Sequence, residues 1–443
     1  MKSYIKAVAG VVAAALLAPM SYANSTDETH NIIYLIGDGM GPAHTTAYRY
    51  YKASKKQLAT GDTTVIAPTE FDRHLVGMAS TYPADNTLVT DSAAGATALA
   101  TGHKSYNGAI GITPDHEHQE TLLERAKKLG MVTGVVSTSQ INHATPASFI
   151  AHIDSRRKYD EIADQYVETR INGKIKSDIM LGGGTQYYRR DNRDIVAEFK
   201  KEGVDYIDAL SDLDKLTKLP AMGLFAPKGL PFEVDSHEQP KRLTRMTKKA
   251  LELADSSKKN FFLMIEGSQI DWCSHANDIA CAMKEMEDFE STLKTVVEFA
   301  RKDGNTTVVV TADHSTGGLT LGVGKGYSWL AHSVHKIRIS GESFAVRVME
   351  GEKPVELWNK YVDLPLEKEE QKQLEAIDKS AEPREVQKLF VGLTAKKTDT
   401  GWTTSGHTAE DVQVYAFGPN ADKFVGFQDN TDIAKKLFNI LGK

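Results

Sequence analysis

Short apolar runs rich in β-branched residues recur along this chain and alternate with longer stretches whose apolar positions repeat at helical spacing. This alternation is typical of an α/β domain with a central, largely parallel β-sheet flanked by helices on both faces. The predicted strands are Ile32–Ile36, Val132–Val136, Ile179–Leu181, Phe261–Ile265, Thr307–Thr311 and Val412–Phe417. The predicted helices are Leu122–Leu129, Tyr159–Ile171, Arg193–Lys201, Lys241–Ala254, Asp278–Arg301 and Thr431–Leu441.

The stretch from about residue 322 to residue 404 interrupts this alternation. It contains a predicted strand pair, Lys336–Ile339 with Ser343–Val348, and a charged helix over Leu366–Asp378. We interpret the stretch as an insertion within the same domain, placed before the last candidate metal ligand. The charged helix is equally compatible with a purely solvated surface and with a role at a subunit interface or over a ligand site.

The N-terminus has the pattern of a secretory signal. A basic start precedes an apolar run from Ala7 to Ala18, and small residues follow at Ser21 and Ala23. This pattern predicts a signal peptide over residues 1–23 and a mature catalytic domain over 24–443, in the periplasm or outside the cell. A membrane anchor is the alternative, but about 20 apolar residues are needed to cross a bilayer and this run is shorter.

Composition narrows the class of protein. Hydrophobic residues make up 41% of the 443 positions and charged residues 25%, which favours a soluble globular protein over a disordered chain or a membrane bundle. The formal net charge of -6 argues against a nucleic-acid partner, since such proteins usually present a basic face.

Two cysteines, Cys273 and Cys281, are present. If the residues between them were helical, their Cα atoms would lie roughly 12 Å apart, beyond the reach of a disulfide. We therefore expect free thiols, although a bend near Cys273 would allow a bridge.

Polar residues with chemical potential follow several of the predicted strands. After Ile32–Ile36 comes GDGMG, which holds Asp38 on a glycine-flanked turn, and the lack of a following Lys-Ser/Thr excludes a P-loop. In TDSAAGATALATGHKSYNG, Ser92 stands at the start of a small-residue helix. A serine there is usually a helix cap, but a nucleophile at that place gains from free N–H groups and the positive end of the helix dipole.

The segment QINHATPASFIAHIDSR follows the strand Val132–Val136. His143 and Thr145 offer a nitrogen and an oxygen near a metal, and Arg156 offers a planar fork that can hold two phosphate oxygens. Alone, such an arginine is more often a surface ion pair.

The segment MIEGSQIDWCSH places Glu266, Asp271 and His275 within ten residues. The spacing of four between Asp271 and His275 brings both onto one helix face, as a divalent metal site requires. Buried acids at a strand end are costly unless a cation or a metal accompanies them.

Two later segments add similar residues, since VVVTADHSTGG follows another strand and SGHTAEDVQVYAFG precedes the last one. Together these turns hold enough ligands for two zinc sites and a harder, oxygen-rich third site. The seven ligands that flank apolar strands are Asp38, Glu266, Asp271, His275, Asp313, His314 and His407.

The motifs GDGMG, TDSAAGATA, HATPAS with its following arginine, EGSQID with a downstream histidine, TADHS and SGHTAED stand in the order of the alkaline phosphatase family. The chain resembles that family from about His30 to the C-terminal helix, with the insertion least covered. The resemblance implies the family's fold and hydrolysis of phosphate monoesters through a covalent phosphoserine. It also implies two Zn²⁺ and one Mg²⁺ per subunit, and a homodimer.

The resemblance further implies a role for each candidate residue. One zinc would take three ligands, Asp271, His275 and His407. The second would take Asp38, Asp313 and His314, with Ser92 as the nucleophile beside it. Magnesium would be bound by Glu266, Thr145 and the second oxygen of Asp38. Asp91 would orient Arg156, which would clamp the phosphate.

Two positions depart from the best-known bacterial pattern. His143 stands where an aspartate often assists the magnesium site, and Trp272 stands where a lysine contacts phosphate through water. We expect His143 at the third metal site and Trp272 beside the substrate phosphate. The departures leave the identity of the third metal and the details of phosphate release open.

Other activities share this metal scaffold, namely those of phosphodiesterases and sulfatases. A sulfatase would need a modified cysteine or serine in a different local motif, and diesterases often use a threonine, whereas this chain has Asp91-Ser92. A catalytically silent phosphate or zinc binder is a third alternative, which the complete ligand set disfavours.

Overall fold

The computed structural model describes residues 30–62, 66, 68–324, 326–377 and 382–442. The predicted signal peptide, residues 1–23, lies outside these ranges and stays a prediction. Within them, no helix combines the length and the apolar character needed to span a bilayer.

Ten strands of the described residues form one sheet, and in chain order they are β1 (Asn31–Gly37), β2 (Leu75–Ser80), β3 (Val132–Gln140), β4 (Ile179–Gly183), β5 (Asp205–Ile207), β6 (Ala221–Leu224), β7 (Phe261–Gly267), β8 (Thr306–Thr311), β9 (Val412–Phe417) and β10 (Gly426–Asp429). Within the sheet they lie side by side in the order β10-β2-β9-β8-β1-β7-β3-β4-β6-β5. Only β9 runs against the other strands of this described sheet, pairing antiparallel with β8 and with β2. The predicted largely parallel sheet is confirmed, as are its six predicted strands.

The middle of the sheet is fully covered by protein. All residues of β1, β3, β7 and β8 are buried. A parallel strand with helices on both faces has no solvent side, so its residues form a continuous apolar run. This is why the β-branched runs identified these strands from the sequence.

Helices flank both faces of the sheet, and the six predicted helices are confirmed to within a few residues at their ends. The helices are α1 (Pro42–Thr60), α2 (Glu70–His74), α3 (Ser92–Thr101), α4 (Leu122–Lys128), α5 (Ala144–Ala147), α6 (Tyr159–Glu168), α7 (Thr185–Tyr188), α8 (Ile195–Lys201), α9 (Arg242–Ser256), α10 (Gln269–His275), α11 (Ile279–Asp303), α12 (Ala331–Val334), α13 (Gly341–Met349), α14 (Pro354–Tyr361), α15 (Lys368–Glu375), α16 (Pro383–Thr398) and α17 (Asn430–Leu441). Short 3₁₀ helices cover Leu210–Lys215, Glu233–Asp235 and Ala421–Phe424, and short strand pairs join Arg170–Ile171 to Lys174–Ile175, Arg189–Arg190 to Arg193–Asp194, Ser315–Thr316 to His407–Thr408, and Leu319–Leu321 to Thr400–Trp402.

The predicted strand pair Lys336–Ile339 with Ser343–Val348 is wrong, because the second segment lies in the helix α13. Ser340 caps this helix by accepting a hydrogen bond from the backbone N–H of Ser343. Phe344 is buried and stacks on Phe390 of α16 with ring centroids 4.4 Å apart. The predicted charged helix is present as α15, although its last residue, Asp378, lies outside the described residues. That the stretch is an insertion stays a prediction.

The expectation of free thiols is also wrong, since Cys273 and Cys281 form a disulfide with Cα atoms 5.4 Å apart. The residues between them are not one helix. The helix α10 ends at His275, Asn277 adopts a left-handed conformation with φ 58°, and α11 begins at Ile279. The chain therefore bends between the cysteines, and this bend brings the two side chains within reach of a disulfide.

A buried polar group, the Glu124 cluster (Glu124, His152 and Lys176), connects α4 to the segments that carry His152 and Lys176. The Glu124 carboxylate lies 2.9 Å from His152 Nε2 and 2.6 Å from Lys176 Nζ. Burial alone would raise the pKa of Glu124, but the hydrogen bond with His152 and the Lys176 charge outweigh burial and lower this pKa to about 2. The cluster therefore stabilises the fold when the carboxylate is ionised.

Candidate functional site

The candidate residues gather at the carboxyl ends of four adjacent strands, β8, β1, β7 and β3. Asp38 follows β1, Glu266 is the last but one residue of β7, and Asp313 follows β8. In open α/β sheets, ligands bind beyond this edge. The tight turn after β1 requires glycine at position 39, where φ is 71° and a Cβ atom would lie 2.9 Å from the Cα of Asp271.

Ser92 is the first residue of α3, and Asp91 rather than Ser92 is its N-cap. The Asp91 carboxylate accepts a hydrogen bond from the N–H of Ala94, which satisfies one of the free donors of the first turn. The side chain of Ser92 is therefore not needed as the helix cap. Its Oγ lies 3.1 Å from His314 Nε2, inside the protein and at the positive end of the helix.

Asp91 also holds Arg156. Its second carboxylate oxygen accepts a hydrogen bond of 2.9 Å from Arg156 Nη1, and the other Arg156 terminus, Nη2, lies 3.3 Å from His143 Nε2. Burial would lower the pKa of Arg156, but the charge of Asp91 outweighs burial and raises the pKa, so the guanidinium stays charged. A fixed guanidinium of this kind can bind two oxygens of one phosphate.

The first ligand group consists of Asp271, His275 and His407, whose ligand atoms lie within 4.8 Å of one another. His275 Nε2 lies 3.3 Å from Asp271 and 3.1 Å from His407 Nε2. The other ring nitrogens point to backbone carbonyls, Nδ1 of His275 to Ser405 and Nδ1 of His407 to Thr90. Such outer contacts orient a histidine with Nε2 toward a metal.

The second group consists of Asp38, Asp313 and His314, again within 4.8 Å. His314 Nε2 lies 3.3 Å from Asp38 and 3.4 Å from Asp313, and all three side chains are fully buried. Because the same His314 nitrogen is nearest to Ser92 Oγ, this group lies beside the candidate nucleophile.

The third group consists of Asp38, His143 and Glu266, with Asp38 shared between groups two and three. Thr145, predicted as a further oxygen ligand, lies in the short helix α5, which begins directly after His143. The oxygen-rich composition suits a harder cation than the second group does.

Four buried carboxylates therefore lie within one small volume. Burial, and then the charges of Asp313 and Asp271, raise the pKa of Asp38. Burial and the neighbouring Asp271 likewise raise the pKa of Asp313. Like charges buried together disfavour ionisation unless cations accompany them.

The chemistry of these residues fits bound cations. Buried ligand-type atoms that contact no hydrogen-bond partner among the described residues occur throughout the site, namely both oxygens of Asp38, Oε1 of Glu266, Oδ2 of Asp313, Oγ1 of Thr145 and Nδ1 of His143. Buried polar atoms are normally paired, so a cluster of unpaired ligand atoms indicates that ions complete it.

Trp272 lies next to His143, with the two rings in an edge-to-face arrangement and centroids 5.6 Å apart. Trp272 thus borders the third ligand group through His143. Sequence reasoning missed two supporting hydroxyls, Ser137, which donates to Glu266 over 2.7 Å, and Thr316, which donates to Asp271 over 2.5 Å. Ser137 could have been noticed because it follows the predicted strand Val132–Val136.

A model of the alkaline phosphatase family matches residues 29–443. The chain belongs to the alkaline phosphatase family. Alkaline phosphatases are metal-dependent phosphomonoesterases, and metal binding agrees with the three ligand groups. Alkaline phosphatase 3 of Bacillus subtilis is 45% identical over 419 residues, which cover 94% of this chain and 89% of the relative. The Escherichia coli alkaline phosphatase is 32% identical over 331 residues, covering 64% of this chain and 70% of the relative.

Solved alkaline phosphatases share the fold. A cold-active alkaline phosphatase from a psychrophilic Shewanella species is 41% identical with a TM-score of 0.86, covering 93% of this chain and 100% of the other. The alkaline phosphatase of the Antarctic bacterium TAB5 is 28% identical with a TM-score of 0.69, covering 93% and 98%. Variants of the TAB5 enzyme with one histidine replaced by aspartate or glutamate carry magnesium in the site called M3.

Proposed function

We propose that this protein hydrolyses phosphate monoesters to an alcohol and inorganic phosphate, with Ser92 as the nucleophile. The proposal depends on the position of Ser92 Oγ. This atom lies at the N-terminus of α3, where Asp91 rather than Ser92 accepts the capping hydrogen bond, and it is 3.1 Å from Nε2 of His314 in the second ligand group. Family membership supports the same reaction.

The substrate phosphate would be held between α3 and Arg156. The free N–H groups at the start of α3 and the dipole of that helix favour an anion beside Ser92. Arg156, fixed by Asp91, would bind two of the non-bridging oxygens and neutralise charge on them. Trp272, which packs on His143, would border the phosphate on that side.

Two zinc ions and one magnesium ion per subunit fit the three ligand groups. Asp271, His275 and His407 would hold one zinc, and Asp38, Asp313 and His314 the other. The remaining oxygen-rich group would hold magnesium through Asp38, Glu266 and Thr145, with His143 beside it. Bound divalent cations would lower the pKa of attached oxygens and neutralise the phosphate charge.

Catalysis would then proceed in two displacements at phosphorus. Ser92 Oγ, having lost its proton, attacks in line, the bond from phosphorus to the alcohol oxygen breaks, and the alcohol leaves with a proton. Water next attacks the phosphoserine, the bond from phosphorus to Oγ breaks, and inorganic phosphate is released. Arg156 would hold the same oxygens through both displacements.

The third metal site of this chain differs from an all-oxygen site because His143 supplies a nitrogen. In TAB5, magnesium is bound at M3 when a histidine is replaced by an acid. We infer that His143 weakens magnesium binding in this chain relative to a carboxylate at the same position. Titration of the metal-free protein with magnesium, compared with that of His143→Asp, measures this difference directly.

Ser92→Ala tests the nucleophile. The variant should lose nearly all turnover of p-nitrophenyl phosphate, and radiolabelled phosphate should no longer label the protein covalently at acid pH. Ser105→Ala, which also removes a buried hydroxyl, is the matched control and should keep both properties. Covalent label on another residue in Ser92→Ala would place the nucleophile elsewhere.

Metal content and ester class complete the assignment. Chelator should abolish activity, and zinc with magnesium should restore it, at two zinc ions and one magnesium ion per chain. Faster turnover of bis-p-nitrophenyl phosphate than of the monoester would favour the phosphodiesterase alternative. Phosphate binding without any turnover would favour the silent binder.

Export and assembly are further parts of the proposal. The signal pattern of residues 1–23 supports secretion or a periplasmic location, and the family resemblance supports a homodimer, with phosphate monoesters as the partners of the site and no nucleic acid. Sequencing of the mature N-terminus tests cleavage after Ala23. Light scattering of the purified protein tests the subunit number.

A further inference from the structure

A cleft of about 560 Å³ opens beside the first ligand group, between α16 and the segment from Thr400 to Ser405. His275 lines this cleft, and its side chain is 40% exposed, whereas Asp271 of the same group is only 4% exposed. The first ligand group is therefore open to solvent on the side of the cleft.

A row of histidines connects the nucleophile to this opening. Ser92 Oγ lies 3.1 Å from His314, the rings of His314 and His407 stack with centroids 3.6 Å apart, and His407 lies 3.1 Å from His275. In an in-line displacement, the leaving oxygen is opposite the attacking oxygen. With Ser92 at one end of the row and the reacting phosphate between Ser92 and the first ligand group, the alcohol part of a substrate would point toward His275 and the cleft.

One face of α16 forms the wall of the cleft, through residues spaced three or four apart. Arg384 and Lys388 stand near the start of the helix, and Val391, Gly392 and Ala395 follow. The cations are exposed, and neither makes an ion pair with another residue in the described ranges. The facing wall contributes Trp402 and uncharged hydroxyl residues, so the cleft has a positive end and a neutral, partly aromatic side.

Gly392 lies in the middle of the helix α16, where glycine is an unfavourable residue. A glycine in the middle of a helix costs about 1 kcal/mol relative to alanine. Gly392 is exposed on the cleft face, and a Cβ atom added there would meet no atom within 4 Å, so packing inside the protein does not require the glycine. A missing side chain at this point instead widens the cleft, as the approach of a ligand would require.

We propose that this cleft is the binding subsite for the alcohol part of the substrate, and that it favours alcohols carrying a second anionic group. Arg384 and Lys388 bind the second anion, the space above Gly392 admits the body of the alcohol, and Trp402 offers a face to it. The inference rests on the proposed phosphomonoesterase function, because the reacting phosphate fixes where the alcohol points. Phosphate and carboxylate are the anions whose geometry suits an arginine and a lysine four residues apart.

The test uses esters that differ only in the second anion. A series of α,ω-alkanediol bisphosphates of rising chain length is compared with the matching monophosphates by kcat/KM for release of the first phosphate. Because each bisphosphate offers two equivalent phosphates, its kcat/KM is halved before the comparison. The wild-type protein should then still prefer the bisphosphate at one range of lengths, and this preference should shrink as salt is added. Equal kcat/KM at every length would overturn the subsite, while absence of monophosphate hydrolysis would instead refute the proposed function.

Two variants locate the preference in the cleft. Arg384→Gln with Lys388→Gln should lower kcat/KM for the preferred bisphosphate about tenfold, or about threefold per cation, and leave the monophosphate within twofold. Lys56→Gln removes an exposed cation near the far end of α1 and should change neither substrate. A parallel loss for both substrates in the double variant would mean general attraction of anions and would overturn the proposal.

Gly392→Leu fills the cleft without threatening the fold, since leucine is the better helix former. The variant should lose at least tenfold in kcat/KM for the long bisphosphates and keep its rate with methyl phosphate. Unchanged kinetics with both substrates would show that the alcohol does not occupy the cleft. A changed subunit number in light scattering would show that a second copy of the chain covers the cleft, which also overturns the proposal.

Discussion

Replacing both Cys273 and Cys281 by alanine removes a crosslink on the helix that carries Asp271 and His275. Cys273 stands between Asp271 and His275 on α10, and the disulfide joins this helix to the first turn of α11. Both cysteines are buried, so alanine leaves a small apolar side chain in an apolar setting. The crosslink therefore restricts the helix that carries two ligands of the first group.

The expected size of the effect follows from the length of the closed loop. For a sequence separation of 8, the chain-entropy relation gives about 2.5 kcal/mol at 25 °C. Spread over the unfolding of a 443-residue chain, this corresponds to a fall in Tm of only about 3 °C. If the lost restraint acts on α10 alone, the same free energy corresponds to zinc binding up to about 70-fold weaker at the first group.

Calorimetry measures the Tm, and competition with a chromophoric chelator measures zinc affinity. We expect one zinc ion per chain to become weakly bound in the double variant while the other keeps its affinity. Cys281→Ala alone is the control, because it also breaks the bridge but leaves Cys273 in place, and it should match the double variant. Unchanged zinc affinity in both proteins would refute the view that the disulfide restrains the ligand helix.

Three further predictions concern other residues. Asp91→Asn removes the charge that holds Arg156, and kcat/KM for p-nitrophenyl phosphate should fall about 10- to 100-fold, with a smaller change in Tm than in activity. His143→Asp should bind magnesium more tightly in a metal titration, because the site gains a charged oxygen ligand. Glu124→Gln keeps a hydrogen-bonding side chain but loses the charge of the Glu124 cluster, so at pH 7 its free energy of unfolding should be about 3 kcal/mol lower than that of the wild type. Since the pKa of Glu124 is lowered to about 2, the wild-type advantage should decline as the pH falls from about 5 and vanish near pH 2 in urea titrations.

The central strands could be predicted from the sequence because burial on both faces leaves an apolar run with no alternation. Four strands could not be predicted in this way, namely β2, β5, β6 and β10, although all four residues of the short strand β6 are buried. In β2 the residues are mostly half-buried, and in β10 Phe427 is 69% exposed, so neither carries a clear apolar signal. β2 pairs with β9 and with β10, and this pairing, rather than a local sequence pattern, makes both segments strands.

Residues 343–348 show how a local pattern can mislead. Phe344, Val346 and Val348 alternate with other residues as in a strand, yet Val346 is 47% exposed in the helix α13. The capping hydrogen bond of Ser340 and the packing of Phe344 on α16 decide the outcome. Both depend on contacts that a period-two pattern does not contain.

The candidate site was more predictable than the fold around it. Acids and histidines directly after apolar strands had to meet at one edge of the sheet, and order along the chain matched a known family. The sequence does not show which of the two residues caps α3, since aspartate and serine are both good N-caps. The structure shows that Asp91 is the cap and that the hydroxyl of Ser92 is not used for capping. The disulfide was missed because the left-handed turn at Asn277 has no strong sequence signal.

Asp38 belongs to two ligand groups at once, through one short carboxylate. Ions in these two groups would therefore not bind independently. An ion that withdraws electron density from Asp38 makes this carboxylate a poorer ligand for the ion in the other group. An ion that fixes the conformation of Asp38 instead lowers the entropic cost of binding the second ion. Whichever effect is larger, a titration of the metal-free protein should depart from the sum of separate binding isotherms, and Asp38→Asn should change the affinities of two ions rather than one.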